Sequence, residues 1–317
     1  MTMVNQTKLG IIAIVMIIPL VSLVMWNTSQ TVESFESDTK TQKINVLASF
    51  YPIEEFTKKV GKDKVNVSLL VKPGIEPHDW EPSIKEIQRM QESDLIIING
   101  LGIENWVDDI NTINSDVTFV DTSYGITPIK ANPENNLGIL TDESREFTND
   151  PHIWLNPITI KVQVQNIANS LIELDSENRN YYQKNADSYK LELDILDKKI
   201  RDELSKCEKK DFFAFHNAFA YFSQEYGLNQ HTVLKSMAPL EDPTAKDIQE
   251  VIDLAKTLET RVIFTEEFVN PKVAEVIADE TGSRLLVLSP LEFGDENQTY
   301  LERMEQNLAN LKVALCN

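Results

Sequence analysis

Short apolar runs alternate with stretches of helical periodicity twice along this chain, and that alternation admits few folds. In the first half, strand-like runs at Ile44–Phe50, Val65–Lys72, Leu95–Asn99 and Thr118–Asp121 are separated by helical stretches at Ile53–Val60, Ile84–Ser93 and Asn105–Ile113. Leu95–Asn99 (LIIIN) is short and continuously apolar, the pattern of a strand covered on both faces of a parallel sheet. The pattern restarts with runs at Phe212–His216, Thr232–Lys235, Arg261–Thr265 and Arg284–Leu288. Helical stretches at Phe219–Tyr226, Ala245–Leu258, Val273–Thr281 and Tyr300–Leu315 lie between and after them. Strand–helix alternation of this kind predicts parallel βαβ units.

The two halves are separated by helical sequence. Pro157–Leu174 opens after Asn156 with proline in its first turn, a favourable start. Asp175–Ser205 carries an apolar stripe at Tyr182, Ala186, Tyr189, Leu193, Leu196 and Ile200, spaced by three and four. Some thirty residues at 1.5 Å each would span about 45 Å, enough to cross two domains. The fold expected is α/β: two βα lobes, each with a mostly parallel four-stranded sheet, and a helical connection. The polar stretch Lys130–Asp150 reads as a surface loop.

The N-terminus bears on the compartment. Gly10–Trp26 carries no charge along its whole length, which is short for a membrane span and long for a signal-peptide core. Lacking a following cysteine or a clear cleavage site, it is expected to be an uncleaved anchor, with a cleaved signal peptide as the alternative. Residues 27–43 then read as a flexible polar tether. Either way the body of the protein is expected outside the cytoplasm. There, Cys207 and Cys316 could pair and close a long loop, or remain as two partly buried thiols. A net charge of −20 repels a phosphate backbone and argues against a nucleic-acid partner.

Three of the four histidines, His78, His152 and His216, stand in loops or at the end of a strand. Ligands of open parallel sheets bind beyond the carboxyl ends of the strands, so two facing lobes would bring these three to a shared cleft. On spacing alone, a metal site and ordinary hydrogen-bonding loop histidines both remain open. The three lie too far apart in sequence for any local zinc motif, so the fold would have to assemble such a site.

The segments GIEPHDWEPS, SDLIIINGLGIENW, DPHIWLNP, FFAFHNAFAYFSQEYGL and the run from Glu241 to Leu291 resemble the zinc and manganese substrate-binding proteins of ABC transporters. The resemblance runs from Ile44 to Leu315. It implies a rigid backbone helix between lobes spanning 44–156 and 206–317, with 157–205 connecting them and a metal held in the cleft. It places His78, His152 and His216 on three of the family's ligands. Three imidazoles point to Zn²⁺ as the transported ion, with Mn²⁺ less favoured. The fourth position departs: Ser289-Pro-Leu stands where the family has an aspartate, leaving water, Ser289 or a carboxylate such as Glu292 as candidates. Glu266 and Glu267 end a predicted strand, and one of them is expected to accept a hydrogen bond from a ligand histidine. His231 matches no ligand. The function implied is a monomeric receptor that delivers its ion to an ABC permease rather than an enzyme. The alternatives are an exported three-histidine zinc hydrolase, which lacks any H-E-x-x-H or G-x-S-x-G signature here, and a metal-binding adhesin.

Overall fold

A computed structural model of the chain describes residues 43–113, 117–131, 148–234, 243–295 and 297–316. The anchor expected over 1–26, all but the last residue of the tether expected over 27–43, and residues 132–147 of the stretch expected to be a surface loop lie outside them. Among the described residues, no helix is long and apolar enough to cross a membrane.

Two βα lobes make up the fold, each built on four parallel strands. The first sheet contains β1 (Ile44–Ala48), β2 (Val65–Leu69), β3 (Leu95–Ile98) and β4 (Phe119–Asp121), in the order β2-β1-β3-β4. The second contains β5 (Asp211–Ala214), β6 (Asn229–Thr232), β7 (Val262–Thr265) and β8 (Arg284–Val287), in the order β6-β5-β7-β8. The two orders are the same, so each lobe has a switch point between its first and third strands, where a parallel sheet opens a crevice at its carboxyl edge.

β3 is buried at every position, as the LIII run requires of a central strand. The sixth strand is displaced from the sequence expectation of Thr232–Lys235 to Asn229–Thr232. An edge strand needs few apolar side chains, so the polar stretch NQHT pairs with Asp211–Ala214. The apolar Val233 and Leu234 that suggested a strand are buried just beyond its end. His231 therefore lies within that strand, bonded to Asp211 at 2.9 Å.

The helices of the first half are α1 (Tyr51–Gly61), α2 (Ile84–Gln91) and α3 (Val107–Ile113). Next come α4 (Pro157–Leu174) and α5 (Arg179–Leu204), the two connecting helices. α6 (Ala220–Tyr226), α7 (Ala245–Thr257), α8 (Lys272–Thr281) and α9 (Tyr300–Leu315) complete the second half. α2, α7 and α9 begin with reciprocal capping boxes, Ser83–Glu86, Thr244–Asp247 and Thr299–Glu302, which satisfy backbone N–H groups that a helix start leaves open.

α5 has 26 residues, about 39 Å at 1.5 Å per residue. Its expected stripe is buried in full: Tyr182, Ala186, Tyr189, Leu193, Leu196 and Ile200. It touches both lobes. Asn185 donates to the Val60 carbonyl of α1 at 2.9 Å, and Lys199 pairs with Glu305 of α9 at 2.9 Å. Trp154, fully buried, donates through Nε1 to the Pro290 carbonyl at 2.7 Å and accepts from the Tyr300 hydroxyl at its own carbonyl.

Cys207 and Cys316 are joined in a disulfide across a sequence separation of 109. Closing a loop of that length removes denatured-state entropy worth about 3–5 kcal/mol. Replacing both cysteines by serine is expected to lower unfolding stability by that order. A denaturant midpoint unchanged by the replacement would show that the bond contributes nothing.

Candidate metal centre

Each histidine of interest is held by local structure before it meets the others. His78 sits in the turn Pro77–Asp79 beyond β2, where Glu76 caps the turn by accepting from the His78 N–H at 3.2 Å. His152 lies in a tight Asp-Pro-His turn at the start of the connection. Asp150 Oδ1 accepts from the His152 backbone N–H at 2.9 Å and lies 2.9 Å from its Nδ1. That turn is held from two sides: Asn99, beyond β3, donates to the Pro151 carbonyl at 2.9 Å, and the Tyr221 hydroxyl of α6 donates to the Asp150 carbonyl at 2.9 Å. His216 follows β5, and Glu266 follows β7, so the two face each other across the second switch point. Glu266 accepts from the His216 N–H at 3.1 Å, and both its oxygens lie 2.8 Å from Nδ1.

The structure brings His78, His152, His216 and Glu292 together. One ligand atom from each lies within 4.8 Å of the others, and all four residues are buried. His216 Nε2 is 3.3 Å from His152 Nε2, while Glu292 Oε1 is 3.7 Å from His78 Nε2 and 3.8 Å from His216 Nε2. Four donors at about 2.0–2.1 Å from a tetrahedral zinc would be separated by about 3.3–3.4 Å, so the set, all within 4.8 Å, would close on that ion by side-chain movements of about 1 Å. With Nδ1–H of His152 and His216 turned to carboxylates, the lone pair falls on Nε2, where a metal would need it. Glu292 Oε1 is buried without a hydrogen-bond partner among the described residues, an unfavourable arrangement that a cation would relieve.

The other sequence candidates are placed differently. The Ser289 hydroxyl donates to Glu267 at 2.5 Å and accepts from Arg303 Nη2 at 2.9 Å and the Leu291 N–H at 3.1 Å. One donor and two acceptor positions are thereby used up. Glu267 also pairs with Arg303 at 2.5 Å and touches no histidine of the cluster in these contacts. Asp150, Asn99, Tyr221 and Arg303 were not singled out from sequence. Only Asp150 left a readable trace there, an aspartate two residues before a histidine, the spacing of an Asx turn.

Burial sets the charges. It lowers His78 to about 4, and holds His152 well below the ordinary imidazole range with help from its two histidine neighbours. His216 is equally buried, but the carboxylate of Glu266, then Glu292 and Glu76, outweighs desolvation and pushes it up to about 9. Desolvation raises Glu292 to about 7, with the His216 cation opposing. Without metal, the cluster therefore holds a proton on His216 through the neutral range, and Glu292 takes one up as pH falls through about 7.

The model of the family described as "Zinc-uptake complex component A periplasmic", ZnuA, matches residues 46–314. The chain belongs to this zinc-uptake family. The "High-affinity zinc uptake system protein ZnuA" of Bacillus subtilis is 36% identical over 287 residues, 88% of this chain and 90% of that protein. The zinc-bound ZnuA-like domain of Streptococcus pneumoniae AdcA superposes with a TM-score of 0.74 at 30% identity, covering 87% of this chain and 100% of that one. The laminin-binding protein Lmb of Streptococcus agalactiae, described as a bifunctional adhesin and metal transporter, gives 0.77 at 30% identity, over 86% and 99%. ZnuA-family membership concerns an uptake component rather than an enzyme, and the match spans the connecting helices and all but the outermost few residues of the two lobes.

Proposed function

We propose that this protein captures a single zinc ion outside the cytoplasm and hands it to an ABC permease in the membrane. In this reading His78, His152, His216 and Glu292 are the ligands, Asp150 and Glu266 orient two of the imidazoles, and Ser289 and Glu267 lie outside the coordination sphere. Residues 44–156 and 206–317 are the two metal-binding lobes, 157–205 the connection, and the N-terminal segment the tether to the membrane. The observation that carries it is the convergence of three buried imidazole nitrogens and one carboxylate oxygen that makes no hydrogen bond.

Three nitrogens and one oxygen favour zinc over manganese, which takes a more oxygen-rich shell. Four protein donors would also saturate a tetrahedral ion and leave no position for a hydrolytic water, which favours binding over hydrolysis. The test is metal content of the full chain after equilibration with zinc and excess manganese under a competing chelator. One zinc and no manganese per chain is the expected result. Two zinc ions, or retained manganese, would overturn the reading.

A further inference from the structure

Arg303, on α9 and only 5% exposed, gathers three segments around its guanidinium. Nη2 donates to Glu267 Oε2 at 2.5 Å and to the Ser289 hydroxyl at 2.9 Å, Nη1 donates to the Phe293 carbonyl, and the guanidinium carbon lies 5.7 Å from the centre of the Tyr51 ring. Tyr51 belongs to the first lobe and the other partners to the second.

These contacts bracket the two turns that carry the second lobe's carboxylates. One follows β7 and bears Glu266, which orients His216. The other follows β8 and bears Glu292. Each passes through left-handed backbone at a bulky residue, Phe268 at φ +64° and Leu291 at φ +60°. Side chains other than glycine hold that conformation only where the surroundings over-determine it. The surroundings do so here. The Phe268 and Phe293 rings meet edge to face at 4.8 Å, Trp154 holds the Pro290 carbonyl, and Ser289 holds the Leu291 N–H. At Gly294 the chain runs so close to Tyr51 that a Cβ would lie 2.8 Å from the ring.

We propose that Arg303 is a positioning residue for the metal: it locks the 289–294 turn so that Glu292 is presented as a donor, and ties that turn through Glu267 to the one that orients His216. The proposal rests on the reading of Glu292 as a ligand. Neutralising Glu267 would need only a positive charge. Reaching a carboxylate, a hydroxyl and a carbonyl in different directions needs the planar fork of arginine.

The experiment is a double-mutant cycle on the full chain with R303M, E292Q and both, reading zinc Kd by chelator competition, the cobalt(II) absorption spectrum, and melting without metal. R303M is expected to weaken zinc about 10–100-fold, the range typical of residues that orient ligands. In the E292Q background its cost should be clearly smaller, the remainder reaching the metal through the turn that orients His216, because coupled residues are not additive. The cobalt(II) spectrum of R303M should move toward that of E292Q. If R303M does not fold, R303K keeps the charge without the fork and carries the same comparison. Equal losses in both backgrounds, or an unchanged affinity in R303M, would overturn the role of Arg303 alone. An E292Q affinity equal to the parent's would instead overturn the reading of Glu292 as a ligand, and this proposal with it.

Discussion

His152→Ala is expected to lower the zinc affinity of the full chain by more than about a hundredfold, and His78→Ala and His216→Ala by a similar factor. Apparent zinc binding energies of about 10–16 kcal/mol, shared among four donors, assign about 3 kcal/mol to each. With each tenfold in affinity worth about 1.4 kcal/mol, that share exceeds two orders of magnitude. His152→Ala also strips the buried Asp150 of its imidazole partner, so melting without metal should be followed alongside. His231 supplies the control. It sits on the edge strand β6, its side chain 27% exposed and paired with Asp211, and lines no part of the cluster. A partly exposed pair of that kind is worth about 1 kcal/mol or less to stability and nothing to metal binding. Chelator competition on the four variants decides the matter: a larger loss in His231→Ala than in the other three would sink the ligand assignment.

Much of the fold could be read from residues whose side chains answer to local rules. The LIII run of β3, the stripe of α5 and the Asn156-Pro157 start of α4 each follow from periodicity or capping, and the structure places all three where those rules put them. β6 could not be read this way, because an edge strand is specified by its neighbour's backbone rather than by its own hydrophobicity. The same division runs through the candidate centre. Histidines are few and conspicuous, so their loop and strand-end positions pointed to a common cleft. Asn99 and Tyr221, which hold the Asp150–Pro151 backbone, are ordinary polar residues distant from it in sequence, at separations of 52 and 71. Nothing in their local sequence marks them. Ser289 shows the converse: its alignment with a family carboxylate drew attention to it, yet its hydroxyl is fully engaged by Glu267, Arg303 and the Leu291 N–H. Side-chain direction in a turn depends on backbone dihedrals, and here Leu291 at φ +60° redirects the chain between Ser289 and Glu292.

Zinc affinity is expected to fall with acidity from a higher pH than histidine ligands alone would suggest. The metal needs neutral His216 and ionised Glu292, but the free protein protonates His216 below about 9 and Glu292 below about 7. Both shifts are upward, so protons compete for the site over the whole range beneath those values. Between pH 9 and 7 binding should displace about one proton, and affinity should drop about tenfold per unit. Below pH 7 it should displace at least two, because burial also raises Asp150 and Glu76 beside the cluster to about 7, and the loss from pH 7 to 5 should be at least ten-thousandfold. His78, lowered to about 4, and His152, held lower still, are already neutral and contribute nothing in this range. Three unperturbed imidazoles would instead leave affinity nearly flat down to about pH 6.5 and then lose it steeply. Calorimetry in buffers of differing ionisation enthalpy counts the protons directly. About one at pH 8 is expected, and none would show that His216 is neutral in the free site. Glu266→Gln sharpens the test, because it removes the carboxylate that contributes most to raising His216 while keeping an acceptor for Nδ1–H. In that variant the proton released at pH 8 should disappear, the affinity lost to acid should begin nearer pH 7, and zinc at high pH should bind about tenfold more weakly, the low end of the range for a residue that orients a ligand, because the amide still offers an acceptor.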